Sequence, residues 1–392
     1  MSKVNVLVLN DFTRDNRVLK TARSLHKAGH EVRVLALWRP GLPEREQLAD
    51  GVQVVRLRSV ASRLPGGKLT GLIKAMAVQL QLIVRHRDAD VMHCNDLEAF
   101  VLGVILQRFQ PGLKLIYDCH EFEAERNAQP NWMRRGMGAI ERAWIRRASA
   151  VLTVSPSILR AYEERYGKHG LPPTYLVRNI PHRRNTSISH SEAEGFSSYF
   201  SLPEGAWVAL YQGAFTWNRG LEVAIEAAKA LREENIHLVL MGYGPLQPLV
   251  DAAAAEYPNI HYMPAVPYDS VLAWTQSADV GLVSVDPVCL SYLYCLPNKL
   301  FEYILAGIPV LSNHLPDCAA LIEAWEVGEV VSENNARGWA AALRQMRDQP
   351  EGKYAAGLAL AAENLHWEGE EEQLYAAYRS AGVPMQTESI SR

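Results

Sequence analysis

Hydrophobic and polar positions follow two alternating patterns along the chain. Short runs rich in β-branched residues, such as residues 4–9 and 31–37, alternate with longer stretches in which apolar residues recur every three to four positions. The short runs are typical of buried strands, and the longer stretches are typical of amphipathic helices. Their alternation predicts an α/β protein in which parallel sheets are covered by helices.

The pattern forms two arrays separated by a polar segment. In the first array the predicted strands are 4–9, 31–37, 52–57, 91–94, 114–118, 150–154 and 175–177, and the predicted helices are 17–28, 68–86, 97–107, 132–147 and 156–166. In the second array the predicted strands are 207–211, 237–241, 260–263, 280–284 and 309–312, and the predicted helices are 221–233, 246–256, 270–276, 298–306, 318–325, 336–347 and a tail helix at 351–380. Residues 183–198 lack apolar periodicity and are rich in serine, so they are predicted to link the two arrays.

Length and composition fit a large globular protein. The 392 residues are enough for two domains, and the 48% hydrophobic and 21% charged content excludes disordered, collagen-like and disulfide-scaffold proteins. The apolar start is too short for a signal peptide, and the most apolar window, 69–84, is interrupted by Lys74 and two glutamines. We expect a cytoplasmic protein, with at most peripheral contact with the inner face of the membrane. Five cysteines without CxxC spacing predict reduced, buried thiols and no zinc site.

The formal net charge of −3 hides an asymmetry between the two halves. Residues 1–200 contain 30 lysines and arginines against 19 acidic residues, whereas residues 201–392 contain 10 against 24. The basic half suggests a surface role toward an anionic partner, but no nucleic-acid recognition motif accompanies the charge, so no nucleic acid is expected. The aromatic and basic segment 132–147 leaves two interpretations open: a helix on an anionic membrane surface, or a solvated basic face over a core stripe.

The loop after the first predicted strand is polar and partly cationic. It contains Asp11, Arg14 and Arg17 but no glycine, which argues against a dinucleotide site because such a site needs glycines for close approach to a pyrophosphate. The loop is suited to a hydroxylated or anionic acceptor. In the alternative interpretation, Asp15 or Asn16 merely caps the following helix.

Two further polar clusters follow strands of the first array. His120 comes directly after strand 114–118, and Asn95 and Asp96 end the preceding strand along the chain. Because the loops after parallel strands line the ligand crevice of an open sheet, both clusters are expected in one crevice. A histidine there can exchange a proton near neutral pH, although a lone histidine in such a place is more often structural.

Glycines and an arginine follow the strands of the second array. Gly213 comes after strand 207–211, and Arg219 precedes the next helix, where an arginine and free helix N–H groups favour phosphate. Gly242 and Gly244 follow the next strand. They allow close approach to a ligand, but they are equally consistent with an ordinary tight turn.

Residues 297–310 form the most informative segment. Asn298 is a predicted helix N-cap and Gly307 a predicted C-cap. A carboxylate from Glu302 in the first turn can accept both hydroxyls of a ribose, while Lys299 and the helix N–H groups face the adjacent diphosphate. The helix end would thus bind a whole nucleoside diphosphate. Alternatively, Glu302 only complements the helix dipole.

Taken together, these and other segments resemble glycosyltransferase family 4 over nearly the whole chain. The resemblance lies in Lys299-Leu300-Phe301-Glu302-Tyr303 with Ala306-Gly307-Ile308-Pro309-Val310, Tyr117-Asp118-Cys119-His120-Glu121, Asp15-Asn16-Arg17-Val18 with Ala28-Gly29-His30-Glu31-Val32, Val154-Ser155, Asn179-Ile180-Pro181 and Trp367-Glu368. Each segment is weak alone, but all of them occur in the order that the family has.

The resemblance implies the GT-B fold, in which two Rossmann-like lobes face a central cleft. The domains are then an acceptor-binding lobe at 1–185, a linker at 186–204, a nucleotide-sugar donor lobe at 205–365, and a final helix at 366–384 that crosses back to the first lobe. It further implies a retaining, metal-independent transfer of a sugar to a hydroxyl of a saccharide or lipid-linked acceptor. A UDP-sugar donor is favoured over a GDP-sugar, in cell-surface polysaccharide, lipopolysaccharide or glycolipid assembly, and no cofactor is expected.

The loops described above and the resemblance together give a set of site residues. The catalytic residues are His120 and Glu302; the donor-binding residues are Gly213, Arg219, Gly242, Gly244, Val266, Asn298, Lys299, Leu300 and Glu302; and the acceptor-binding residues are Asp11, Arg14, Arg17, Asn95 and Asp96. By the resemblance, Glu302 holds the ribose and the backbone around Val266 holds the base. Arg219 and the amides near Gly213 hold the diphosphate, and His120 faces the donor sugar.

Two departures from the family pattern concern the donor site. The first glutamate of the family's E-x7-E motif is Tyr294, so contacts to the transferred sugar differ from the pattern. The usual Gly-Arg pair is Gly213-Ala214, and Lys299 is expected to supply the missing cation. Two other functions stay open: a nucleotide-sugar epimerase on the same fold, which needs no acceptor, and a non-catalytic partner subunit.

Overall fold

The chain folds into two compact units. The computed structural model describes residues 1–13, 15–58, 68–127, 129–167, 170–183 and 195–385. The first unit contains Met1–Val177 and Glu371–Arg392, and the second contains Arg178–Glu370. The last helix therefore begins in the second unit and ends in the first.

The first unit is built on an eight-stranded sheet. Its strands are β1 (Lys3–Leu7), β2 (Glu31–Leu37), β3 (Arg45–Gln47), β4 (Gln53–Leu57), β5 (Val91–Asn95), β6 (Lys114–Cys119), β7 (Ala150–Thr153) and β8 (Thr174–Leu176). Its helices are α1 (Asn16–Lys27), α2 (Lys68–Arg85), α3 (Asp96–Gln107), α4 (Asn131–Trp144) and α5 (Pro156–Tyr166). The order across the sheet is β3-β4-β2-β1-β5-β6-β7-β8, and every pair except β3 with β4 is parallel.

The central strand β1 marks the point where the strand order reverses. β1 pairs with β2 on one side and with β5 on the other, and Val4, Val6 and Leu7 are fully buried. Apolar residues on both faces are required because helices cover both sides of a parallel sheet. The loops after β1 and β5 diverge from this point and form the crevice in which open sheets of this kind bind ligands.

The second unit contains a six-stranded parallel sheet. Its strands are β9 (Trp207–Ala214), β10 (Ile236–Tyr243), β11 (Ile260–Pro264), β12 (Val280–Val283), β13 (Val310–Ser312) and β14 (Gly328–Val330), in the order β11-β10-β9-β12-β13-β14. Its helices are α6 (Phe196–Tyr199), α7 (Leu221–Ala230), α8 (Gln247–Glu256), α9 (Tyr268–Thr275), α10 (Leu290–Leu293), α11 (Asn298–Ala306), α12 (Pro316–Trp325), α13 (Ala336–Arg347), α14 (Ala355–Asn364) and α15 (Trp367–Ser380), of which α15 continues into the first unit. The strand order reverses between β9 and β12, so the loops after these strands form the corresponding crevice.

The predicted elements are present with bounds shifted by a few residues, but short elements and one break were missed. The sequence did not predict β3, β14, α6 or α10, which have three or four residues each. β3 is fully exposed and polar, so no hydrophobic pattern marks it. The predicted tail helix is wrong, because α14 ends before Leu365 and the backbone N–H of Trp367 donates to the carbonyl of Pro181 at 2.8 Å.

The predicted linker lies partly outside the described residues, which omit 184–194. Residues 195–204 belong to the second unit, and Phe196 is fully buried in its core. All five cysteines are free; three are buried, whereas Cys289 and Cys295 are half-buried. None of the helices in the described part of the chain has both the length and the apolar content needed to cross a membrane.

Candidate active site

A buried carboxylate, Asp118, gathers polar side chains at the carboxyl end of the first unit's sheet. Arg17 donates to it from Nε at 3.1 Å and from a terminal nitrogen at 2.6 Å. The Nε2 atoms of His93 and His120 lie 3.3 and 3.4 Å from its Oδ2. Burial disfavours the charged carboxylate, but Arg17 and His120 outweigh burial and lower the pKa of Asp118 well below its ordinary value.

The imidazole of His120 has a defined orientation. Its Nε2 lies 3.1 Å from Oδ1 of Asn95, whose amide nitrogen donates to the Leu7 carbonyl at 3.0 Å. Because Oδ1 of Asn95 and the carboxylate of Asp118 only accept hydrogen bonds, Nε2 carries a proton. Nδ1 lies 3.7 Å from the carboxylate of Asp96. Burial opposes the imidazolium, but the two carboxylates outweigh burial and raise the pKa of His120.

A second histidine, His93, joins Asp118 to the last helix. His93 is fully buried, and burial lowers its pKa, so the ring is neutral. Its Nδ1 lies 3.0 Å from the hydroxyl of Tyr378 on α15. A neutral imidazole donates from one nitrogen and accepts at the other, so His93 donates to Asp118 and accepts from Tyr378. The two predicted clusters do lie together, because Asn95 and Asp96 of one both contact His120 of the other.

Two of the predicted acceptor residues are buried. Arg17 is 4% exposed, and besides Asp118 it donates to the Val177 carbonyl at 3.0 Å. Asn95 is 2% exposed and is bound to His120 and to the backbone of β1. Both side chains are therefore buried supports of the cluster: Arg17 contacts Asp118, and Asn95 contacts His120.

The other predicted acceptor residues lie nearer the surface. Asp11 is half-buried and forms an ion pair with Arg39 at 3.0 Å. Asp96, the first residue of α3, is half-buried and has a left-handed backbone with φ of 69°. Asp15 is the N-cap of α1, and its side chain accepts from Val18 N at 3.1 Å. Arg14 lies outside the described residues.

Two cations lie at the carboxyl end of the second unit's sheet. Nζ of Lys299 is 3.9 Å from the ring centre of Tyr211, and the guanidinium of Arg219 is 4.5 Å from the ring centre of Tyr292. Among the described residues, neither cation lies within ion-pair distance of a carboxylate. Burial, followed by the positive charge of Arg219, lowers the pKa of Lys299 to about 7. Cations that repel each other and lack a carboxylate partner favour an anionic ligand.

Helix α11 begins next to these cations. Its N-cap is Pro297, so the predicted N-cap Asn298 is wrong by one position; Leu300 N donates to the Pro297 carbonyl at 3.0 Å. No side chain caps this helix and its first turn has no acidic residue, which leaves its positive end available to an anion. Gly307 ends the helix with φ of 77°, as predicted.

The carboxylate of Glu302 is tied to β9. Glu302 is the fifth residue of α11, so it lies in the second turn, and the prediction of a carboxylate in the first turn is wrong. Gln212 donates from Nε2 to Oε2 of Glu302 at 2.5 Å. The neighbouring Tyr303 is fully buried; its hydroxyl donates to the Leu210 carbonyl at 3.1 Å and accepts from Gln212 N at 3.2 Å.

The predicted donor-site positions Gly213, Gly242 and Gly244 are occupied by glycine for different structural reasons. β9 extends past its predicted end and includes Gly213, which has φ of 127° and open space where a Cβ would lie. A Cβ at Gly242 would lie 1.9 Å from the Gly213 carbonyl oxygen, and one at Gly244 would lie 2.4 Å from that of Phe215. Backbone packing therefore accounts for Gly242 and Gly244, whereas Gly213 borders free space. Val266 follows β11 and packs against the core while half-buried.

Sequence reasoning missed the residues that support the cations and Glu302. Tyr211, Tyr292, Gln212 and Thr275 were not predicted as site residues. Gln212 had a usable signal, since it is a polar residue at the carboxyl end of a buried strand, directly before Gly213. Within the described ranges, no group of three or more His, Cys, Asp or Glu side chains is arranged to hold a metal ion.

Both parts of the chain match models of glycosyltransferase families. The model described as Glycosyltransferase Family 4 matches residues 15–178, and the model described as Glycosyl transferases group 1 matches residues 206–349. WcaL of Escherichia coli strain K12, named as a candidate colanic acid biosynthesis glycosyltransferase, is 32% identical over 133 residues, which are 33% of either chain. The chain thus spans about a third of the length of the curated relatives it first matches.

Solved structures show the same fold over nearly the whole chain. Sucrose-phosphate synthase from Thermosynechococcus elongatus aligns with a TM-score of 0.74 and 17% identity, over 97% of this chain and 98% of that chain. Anabaena Alr3699/HepE, solved with UDP-glucose, aligns with a TM-score of 0.71 and 12% identity, over 97% and 100%. WaaG, a glycosyltransferase involved in lipopolysaccharide biosynthesis, aligns with a TM-score of 0.66 and 17% identity, over 97% and 100%. At such low sequence identities the structural similarity shows the fold alone, which is the GT-B fold. The two family models, which match residues 15–178 and 206–349, show that the chain belongs to the family 4 type of glycosyltransferases.

Proposed function

We propose that the protein is a retaining glycosyltransferase that moves a sugar from a nucleoside diphosphate sugar to a hydroxyl of a saccharide or lipid-linked acceptor. The observation that carries the proposal is the group of Lys299, Arg219 and the uncapped N-terminus of α11 close to Glu302. Cations and helix N–H groups bind a diphosphate, and a carboxylate accepts hydrogen bonds from ribose hydroxyls.

A UDP-sugar is the favoured donor and a GDP-sugar the second choice. The similarity to Alr3699/HepE, which was solved with UDP-glucose, supports uridine. The relatives named for colanic acid biosynthesis support a role in cell-surface polysaccharide assembly. The proposed transfer uses no metal, because Lys299 and Arg219 supply positive charge next to the leaving diphosphate.

In the proposed reaction the acceptor oxygen attacks the anomeric carbon from the face on which the diphosphate leaves. The bond from that carbon to the phosphate oxygen breaks, and the acceptor proton passes to the departing oxygen. Preorganised cations and N–H groups stabilise the charge that develops there. His120 is assigned to the donor sugar as a hydrogen-bond donor, with Asp118 and Asn95 fixing its orientation.

Thermal-shift measurements with UDP, GDP and ADP at one concentration test the donor site. Stabilisation follows RT ln(1 + [L]/Kd), so UDP should raise Tm most. Glu302→Ala and Lys299→Ala should reduce this shift, whereas Glu323→Ala, an exposed carboxylate on α12, should not. His120→Ala should instead lower turnover of the matching nucleotide sugar. No shift with any of the three nucleotides would reject the proposal, and a free epimer as product would favour the epimerase.

We also propose that the first unit meets its acceptor at an anionic membrane. Two helices of the first unit expose apolar side chains, Ile73, Met76, Leu80 and Val84 on α2 and Trp132 and Ile140 on α4, and these are together called the basic apolar surface. Spacings of three and four residues put the four α2 side chains on one helix face. α2 has no acidic residue, and the single one of α4, Glu141, is fully buried. Exposed Arg85, Arg135 and Arg142 add positive charge on the same helices, as interfacial helices require.

Sedimentation with phosphatidylglycerol-containing vesicles tests the basic apolar surface. We expect binding at low salt that weakens at high salt, because part of the attraction is electrostatic. The double variant Met76→Glu, Leu80→Glu should lose binding. Leu360→Glu, which changes a leucine that is 55% exposed on α14 of the second unit, is the matched control. Wild-type protein that stays in the supernatant at low salt would reject the membrane proposal.

A further inference from the structure

The carboxylate of Glu302 is held by a series of hydrogen bonds from buried side chains that have no role in the proposed function. Gln212 Nε2 donates to Glu302 Oε2 at 2.5 Å, and Thr275 Oγ1 donates to Gln212 Oε1 at 2.8 Å. Gln212 is 4% exposed and Thr275 is fully buried. The three residues belong to β9, α9 and α11, so these hydrogen bonds join three elements of the second unit.

The hydrogen-bond chemistry leaves one orientation of the Gln212 amide. Turning the amide over would place Oε1 against the carboxylate of Glu302, and two acceptors would then face each other. Thr275 Oγ1 lies 2.8 Å from Oε1 of Gln212 and 2.8 Å from the Val271 carbonyl, so its single hydroxyl hydrogen is shared between these two acceptors. The –NH₂ group of Gln212 therefore points at Glu302.

The backbone of Gln212 is bound to the same helix. Its N–H donates to the hydroxyl of Tyr303 at 3.2 Å, and that hydroxyl donates to the Leu210 carbonyl at 3.1 Å. Gln212 thus contacts two consecutive residues of α11, one through its backbone and one through its side chain. These bonds fix both the position of the helix and the rotation of the Glu302 carboxylate.

A carboxylate oxygen accepts a hydrogen bond best when the donor hydrogen lies near the carboxylate plane, so the orientation of Glu302 affects how well it accepts from two vicinal hydroxyls. A carboxylate without a fixed partner loses rotational freedom when a ligand binds, and this loss weakens binding. A carboxylate already held by an amide avoids that loss. If Gln212 and Thr275 hold Glu302 in this way, they change affinity through Glu302 and only for ligands that carry the hydroxyls.

We propose that Gln212 and Thr275 are positioning residues that hold Glu302 for the ribose and so set the preference of the site for ribonucleoside over dideoxyribonucleoside diphosphates. This inference rests on the proposed function, because it assumes that Glu302 binds the ribose of the donor.

Calorimetric titration with UDP and with 2′,3′-dideoxyuridine diphosphate tests the inference on the full chain. Wild type should prefer UDP. Gln212→Met removes the amide but keeps the length of the side chain. It should weaken the binding of UDP about tenfold and leave the affinity for the dideoxy ligand unchanged. Thr275→Val should act in the same direction to a smaller extent, whereas Thr275→Ser, which keeps the hydroxyl, should match wild type.

The outcomes distinguish a failure of this inference from a failure of the proposed function. If Gln212→Met weakens the binding of both ligands equally, Gln212 has a merely structural role and the inference is overturned. If Glu302→Ala removes the preference for UDP while Gln212→Met and Thr275→Val keep it, the inference fails and the proposed function stands. If Glu302→Ala itself leaves the preference intact, the ribose contact of the proposed function fails. Should Gln212→Met not fold, the Thr275→Val and Thr275→Ser pair decides alone.

Discussion

At the residue scale, the charge of His120 is set by two carboxylates in different environments. Asp118 is buried and shared with Arg17 and His93, so its removal would leave other buried groups without a partner. Asp96 is half-buried and has φ of 69°, a conformation that asparagine tolerates well. Asp96 also pairs with Arg126 at 3.3 Å, but Arg126 keeps Glu123 at 2.7 Å when Asp96 is changed. Asp96 is therefore the position at which the charge of His120 can be changed with less effect on folding.

Asp96→Asn should lower the pKa of His120. In wild type this pKa is raised by Asp96 and Asp118 against the effect of burial, so the imidazolium persists to higher pH and its stabilising effect is lost as pH rises through the raised pKa. NMR titration of histidine labelled with ¹³C at Cε1 measures the pKa directly. Glu98→Gln, an exposed carboxylate on the same helix, is the control. An unchanged titration of His120 in Asp96→Asn would contradict the assignment.

Lys299 makes donor binding depend on pH. With a pKa of about 7 in the free protein, it is partly neutral at physiological pH, and a bound diphosphate would raise its pKa again. Binding of UDP-glucose should therefore take up roughly half a proton near pH 7, and affinity should fall as pH rises above 7. Calorimetry in buffers of different ionisation enthalpy measures this uptake.

The control for Lys299 is Lys229 in the same unit. Lys229 lies 5.0 Å from the ring centre of Tyr257 but pairs with Glu226 at 2.7 Å, so it has no need of an anionic ligand. Lys299→Met should abolish the proton uptake, and Lys229→Met should keep it. Uptake that survives in Lys299→Met would show that another group titrates.

At the element scale, helix α11 shows what the sequence predicts well. Its bounds, 298–306, match the prediction because a proline before it, a glycine after it and apolar residues at helical spacing all point to the same helix. Its attachment to the sheet was not predictable. Tyr303 fits against β12 because Gly281 has no side chain, and a Cβ there would lie 2.2 Å from the Tyr303 ring.

Gly281→Ala should therefore destabilise the second unit and weaken UDP binding together. Overpacking of this kind costs about 1–3 kcal/mol, and displacement of Tyr303 would also move the neighbouring Glu302. Gly136→Ala on the exposed side of α4, where a Cβ meets no atom within 4 Å, should instead stabilise by up to about 1 kcal/mol. Denaturant unfolding and calorimetry check both effects. Wild-type UDP affinity in a destabilised Gly281→Ala would show that Tyr303 does not position the site.

The limits of sequence prediction here follow from long-range contacts. His120 and Glu302 could be singled out because each lies where a strand or helix end opens onto a crevice. The burial of Arg17 could not be predicted, because its partner Asp118 is 101 residues away along the chain. The same holds for Gln212 and Thr275, which meet Glu302 only after three separate elements have packed. Hydrophobic periodicity reports which face of an element is buried, not which polar groups meet there.

At the scale of the whole molecule, the end of the chain completes the first unit. Residues from Glu371 onward belong to that unit, although they follow the second unit in sequence. Ser24 Oγ donates to Glu371 at 2.7 Å, and the Tyr375 hydroxyl donates to the Ser24 carbonyl at 3.0 Å. Tyr378 reaches further, to the histidine that contacts Asp118. The stability of the first unit therefore depends on a segment more than 190 residues away from the rest of it.

Tyr378→Phe should destabilise the first unit selectively. It leaves the fully buried Nδ1 of His93 without its hydrogen-bond donor, at a cost of about 1–3 kcal/mol. Hydrogen exchange should quicken in β5 and β6, which carry His93 and Asp118. Tyr354→Phe is the matched control, because its hydroxyl donates to Glu329 at 2.7 Å within the second unit. If both variants change exchange in the same strands, or if Tyr378→Phe leaves β5 and β6 unchanged, the last helix does not stabilise the carboxylate that holds His120.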